Sequence, residues 1–122
     1  MLIDLGFATV SLIESNIINT NIILKYTVTL EQAKLLLDAY IKVGNGQKLP
    51  HLITASKFVI MEKEVMEFIS AEANKYGKAD AFVIQTLAQK IIGNFYIRFH
   101  KPKVPTKFFQ SKEKALKWLK TF

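Results

Sequence analysis

Two histidines are the residues of this chain best suited to proton transfer at neutral pH, His51 and His100. His51 follows Pro50 at the start of an apolar run, and His100 ends an amphipathic stretch inside a basic segment. Neither has a Ser–Asp pattern nearby or a second ligand at zinc spacing, so both are expected in structural or surface roles. Glu62, Glu64, Glu67 and Glu72 suggest paired carboxylates at first sight. With Lys63 and Lys75 they fall at helical spacing and read as a solvated stripe. The chain has no cysteine, which excludes disulfides, thiolate metal ligands and a thiol nucleophile. Gly44-Asn45-Gly46 and Gly93 are the glycine features that invite a phosphate reading, but neither belongs to a GxxxxGK[ST] or GxGxxG pattern. Gly93 lies inside a helical run, where glycine costs about 1 kcal/mol against alanine. It therefore marks a close approach by a neighbouring element or a ligand, and packing is the favoured reading. No catalytic residue, metal or cofactor is expected, and the chain is read as a non-enzyme.

The charge is uneven. Residues 1–97 hold nine basic and nine acidic side chains, whereas residues 98–122 hold eight basic side chains against Glu113, so the net charge of +7 sits entirely in the last segment. Arg98, His100, Lys101, Lys103 and Lys107 occur there among Tyr96, Phe99, Phe108 and Phe109. Such a mixture suits phosphate contacts with base stacking, an anionic membrane surface, or an acidic protein. The aromatic spacing, however, matches a buried helix face and a buried strand, which makes the lysines a solvated surface. Nucleic acid is accordingly not an expected partner. Pro102 and Pro105 stiffen the loop Lys101–Lys107 beside a sheet edge and make it a candidate recognition surface.

The elements that must position these residues follow from periodicity. At 122 residues, half of them hydrophobic, the chain fits one domain spanning 1–122. Gly6–Glu14 and Ile17–Tyr26 read as strands of an opening antiparallel hairpin, turning at Ser15-Asn16 or at Asn19-Thr20-Asn21. Thr29-Leu30-Glu31-Gln32 fits a capping box, followed by Ala33, Leu36, Leu37 and Tyr40 on one helical face and a stop at Gly44-Asn45-Gly46. Leu49–Ala55 is a short apolar run of the kind that forms a strand buried on both faces. Glu62–Tyr76 reads as a helix, Ala79–Gln85 as a buried strand, and Ala88, Ile91, Ile92, Phe95, Tyr96 and Phe99 as the buried face of a helix ending before Pro102. A short strand around Lys107–Phe109 and a helix capped by Ser111 complete the chain. The order ββαβαβαβα predicts an α/β fold, a mixed sheet with helices packed on it. No apolar run approaches the roughly 20 residues of a membrane span, no basic leader opens the chain, and a cytoplasmic location is expected.

This order resembles the STAS domains, the fold of bacterial anti-sigma factor antagonists, and the related small bacterial STAS/CRAL-TRIO-like proteins of uncharacterised function. The specific part of the similarity is Ile91-Ile92-Gly93-Asn94-Phe95-Tyr96, then Lys101-Pro102-Lys103-Val104-Pro105-Thr106-Lys107-Phe108-Phe109, then Glu113-Lys114-Ala115-Leu116-Lys117-Trp118-Leu119. The antagonists carry a phosphorylatable serine at the start of the helix after the central strand. Ser56 matches the first serine of that pattern, but the acceptor position falls near Glu62 or Lys63, where no hydroxyl exists. Glu62 is either a fixed mimic of phosphoserine or an acidic residue favoured by the helix dipole, and the dipole suffices.

The resemblance and the missing chemistry together imply a regulatory, protein-binding module without a phosphoacceptor, its unidentified protein partner contacting Ser56, Glu62 and Lys63 together with Lys101, Lys103 and Lys107. The CRAL-TRIO side implies instead a carrier of a lipid or small apolar ligand, in a pocket lined by Gly93, Phe95 and Phe99. Weak binding of an anionic polymer or membrane through the basic segment is the third expectation. A homodimer through an apolar helix face is a separate one.

Overall fold

A computed structural model describes residues 1–14, 16–23, 27–56 and 61–122. Six strands, β1 (Leu2–Asp4), β2 (Ala8–Ile13), β3 (Ile17–Ile22), β4 (Leu49–Ala55), β5 (Gly77–Val83) and β6 (Thr106–Phe109), form one sheet in sequence order. The helices are α1 (Leu30–Val43), α2 (Lys63–Ala71), α3 (Leu87–Phe95) and α4 (Lys112–Leu119). The first three strands pair antiparallel and β3 through β6 pair parallel, so the sheet is mixed as the element order requires.

The β2–β3 register pairs Ile13 with Ile17 and Val10 with Thr20. The hairpin therefore turns between Ile13 and Ile17, and Asn19-Thr20-Asn21 is strand. Ser15 of the expected turn lies outside the described residues, as do Leu24–Tyr26 of the expected second strand. Strand β1 is an addition to the expected order. At three residues it is too short to show a period, and it is set by the turn in which Asp4 Oδ1 accepts from the Gly6 amide at 2.8 Å.

The Thr29 capping box forms as its sequence dictates: Thr29 Oγ1 accepts from the Gln32 amide at 3.1 Å, and Gln32 Oε1 accepts from the Thr29 amide at 3.0 Å. At the other end of α1, Asn45 (φ 52°) and Gly46 (φ 73°) take the left-handed conformation that stops the helix. The expected helix Glu62–Tyr76 is shorter. It ends at Ala71, and Ala73–Tyr76 tightens into a 3-10 turn. Asn74 accounts for the break, because its side chain turns inward to Asp80 and accepts from the Lys103 amide at 3.0 Å.

Side chains alternate across the sheet. Ile22 and Ile53 pack with Val28, Ala33 and Val65 on the α1/α2 face, whereas Ile17, Leu52, Ala79 and Ala81 pack with Ala115 and Leu119 of α4 on the opposite face. Helix α3 shares the α1/α2 face: Gly93 lies against the ring of Phe108, which stacks on Phe82 at 5.1 Å. The glycine expected to mark a close approach does so.

Candidate functional site

The parallel register of β4 and β5 places His51 beside Asp80, and both point to the α1/α2 face. His51 Nε2 lies 2.7 Å from Thr20 Oγ1, and His51 Nδ1 lies 3.9 Å from Asp80 Oδ1. The Tyr40 ring packs 4.4 Å from the imidazole, and its hydroxyl donates to the Tyr76 carbonyl at 3.1 Å. Burial pushes Asp80 up to about 7 and His51 down to about 3, so the fold favours the neutral form of both. Asp80 is not singled out by its sequence neighbourhood, and 28 residues separate it from His51. The available signal was a lone acid inside the buried run Ala79-Asp80-Ala81-Phe82.

Hydroxyl, imidazole and carboxylate follow one another here in the order of a nucleophilic triad. The geometry does not complete one. The gap of 3.9 Å between His51 and Asp80 exceeds a hydrogen bond, and Thr20 is only 4% exposed. The adjoining cavity, about 70 Å³, has apolar walls from Ile22, Val28, Leu36 and Val65. That holds a few waters and no acyl group of ordinary size. Among the described residues, no three His, Asp or Glu side chains gather to hold a metal.

A second cavity, about 60 Å³, lies between the sheet and helices α2 and α3 and is lined by Ile53, Met66, Phe82, Gly93, Tyr96 and Phe108. Of the expected pocket, Gly93 is present, whereas Phe95 and Phe99 lie on the outer side of α3 with rings 4.5 Å apart. Cavities of this size hold one small molecule at most, for comparison with about 150 Å³ around a single benzene, so an acyl chain does not fit.

The expected contact residues do not converge. Ser56 follows the carboxyl end of β4, where its carbonyl accepts from the buried Gln89 side chain at 2.7 Å. Glu62 caps α2 without a side-chain hydrogen bond, and Lys63 is exposed, 3.9 Å from Glu67. Lys101 and Lys103 precede β6 and therefore lie at the amino ends of the parallel strands, while Ser56 and Glu62 lie at the carboxyl ends. Lys107 is on β6, its ammonium 5.5 Å from the Trp118 ring. The intervening residues 57–60 lie outside the described ones.

What the structure presents to solvent is the other side of α3. Of the expected buried face, Tyr96 is buried and Ile92 lines the inner cavity, with Gln89 and Gly93 inward beside them, whereas Ile91 (60% exposed), Phe95 (42%) and Phe99 (61%) join Leu87 (72%) in an outward ridge. Four residues of regular helix overshoot a full turn by about 40°. The wider π turn at Tyr96–His100 keeps Phe99 in line with Phe95. Lys90, Asn94 and Arg98 form the flanking row, and the Arg98 guanidinium lies 5.8 Å from the Phe99 ring. A contiguous exposed apolar row of this kind is a candidate interaction surface.

Comparison with known proteins gives the fold and a family. A family model described as a domain of unknown function (DUF7793) matches residues 11–122. No curated protein matches the chain. Among solved structures, the chain is similar to an uncharacterised protein of the DUF3478 family with a SpoIIAA-like fold from Shewanella loihica PV-4. The identity is 16%, covering 92% of this chain and 91% of that one, with a TM-score of 0.62. The sheet and its helices thus have the SpoIIAA-like, or STAS-like, architecture that the element order implied.

Proposed function

This chain belongs to the DUF7793 family, and we propose that it is a non-enzymatic regulatory module that binds a protein partner on the outer ridge of α3. The single observation that carries this reading is the row Leu87, Ile91, Phe95 and Phe99, left in solvent while the polar groups with perturbed titration are turned into the core. Helix α3 is held rigidly from beneath by Gln89 and by Gly93 against Phe108, so the ridge is preorganised and loses little entropy on binding. The position near Glu62 and Lys63 has no hydroxyl, so the phosphorylation switch that the STAS resemblance implies for antagonists does not carry over.

A protein suits the ridge better than a membrane surface. The lysines of α4 lie on the opposite face of the sheet, so the positive charge is divided rather than focused around the ridge. The test is binding to a partner captured from source cells, identified and then purified. Ile91→Asp and Phe95→Asp are expected to weaken that binding at least about tenfold, as central apolar anchors do. Binding that survives both changes, or turnover of a substrate lost on His51→Ala, contradicts the reading.

A further inference from the structure

Beside the ridge, α3 and the edge strand β6 bound an open groove of about 450 Å³, lined by Lys90, Asn94, Ile97, Thr106, Phe108 and Gln110. Strand β6 is last in the sheet, and among the described residues no strand pairs with its far side. The Asp80 amide donates to the Pro105 carbonyl at 2.9 Å and the Ile84 amide to the Phe109 carbonyl at 2.8 Å. Because backbone groups alternate along a strand, the peptide groups of Thr106 and Phe108 face the open edge. No acidic residue occurs between Asp80 and Glu113, whereas Lys90, Arg98, Lys101, Lys103, Lys107 and Lys112 do.

We infer that this groove receives an extended acidic segment of a protein partner, added to β6 as a seventh strand. The edge supplies main-chain hydrogen bonds, and Lys90 and Lys107, the two basic residues that line the groove, select the sign of the incoming side chains. Lys107 disfavours pairing between two copies of this edge, since a second β6 brings like charge with it. An acidic strand meets no such repulsion. The inference rests on the reading as a protein-binding module, but it concerns a surface distinct from the ridge.

The experiment uses the whole chain and a fluorescent peptide of alternating Glu and Val, with binding followed by anisotropy and by amide shifts. Shifts at Thr106, Phe108 and Gln110, and affinity that falls about tenfold or more with added salt, are expected. Methylating the peptide's backbone nitrogens is expected to cost at least about tenfold, because it removes the donors a seventh strand needs. Lys90→Glu weakens binding, and the uncharged change Ile91→Ser leaves it unchanged, which separates this groove from the ridge. Failure of the acidic peptide to bind at millimolar concentration overturns the inference, as does indifference to methylation. So does tighter occupancy of the same amides by poly(U) RNA or by phosphatidylserine vesicles.

Discussion

Asp80 Oδ1 lies 3.9 Å from His51 Nδ1, with each side chain on the same buried face of adjacent parallel strands. Neither group is charged comfortably there. Burial holds Asp80 up at about 7, above its ordinary value of 3.8, and holds His51 down at about 3, below its ordinary 6.5. A raised carboxyl pKa stabilises the fold at low pH, and that contribution disappears as pH rises from about 4 through 7. A lowered histidine pKa acts in the other direction, its contribution being present above 6.5 and lost as pH falls toward 3. Comparing Asp80→Asn with the wild type isolates the first term. Urea denaturation should show the variant gaining at least about 1 kcal/mol relative to wild type between pH 4.5 and pH 8. A pH-independent difference would mean that Asp80 ionises normally.

Gly93 and Phe108 give a second prediction. A methyl group at position 93 would run into the Phe108 ring, which the stack on Phe82 holds in place. Gly93→Ala should therefore destabilise the protein by about 1–3 kcal/mol despite the better helix propensity of alanine. Phe108→Leu in the same chain should recover part of that loss. The check is a double-mutant cycle by thermal or chemical denaturation.

Gln89 gives a third. Its side chain accepts from the Gln85 amide at 2.7 Å and donates to the Ser56 carbonyl at 2.7 Å, tying the carboxyl ends of β4 and β5 to the first turn of α3. Gln89→Leu leaves both backbone groups without that partner, at a cost of about 1–3 kcal/mol. Amide exchange at Gln85 should quicken in the variant, and unchanged exchange would show that solvent already satisfies that group.

Much of the fold is legible before any coordinates. Thr29 and Gln32 announce a helix start through a reciprocal bond that needs only local sequence, and Leu49–Ala55 announces a buried strand by its length and apolar continuity. The inward face of α3 is not legible in the same way. Hydrophobic periodicity treats apolar residues as buried, but here a glutamine and a glycine face the core because one bridges strand ends and the other admits an aromatic ring. The same inversion hid the ridge, because Ile91, Phe95 and Phe99 read as core. The pairing of His51 with Asp80 was hidden for a different reason, since only the parallel register joins residues so far apart in the chain. Register also separates Ser56 and Glu62 from Lys101 and Lys103, which looked like one surface until the strand directions placed them at opposite ends of the sheet.

The central claim is that a protein partner rests on α3, and site-specific photo-crosslinking in living source cells tests it most directly. A benzophenone side chain replaces Leu87, Ile91 or Phe95 in turn, with Lys112 and Lys117 on α4 as controls; surface changes of this kind leave stability within about 0.5 kcal/mol. The account predicts that one protein is linked from all three ridge positions and from neither control. A partner linked from α4 alone, or ridge positions that link only lipid, would contradict it.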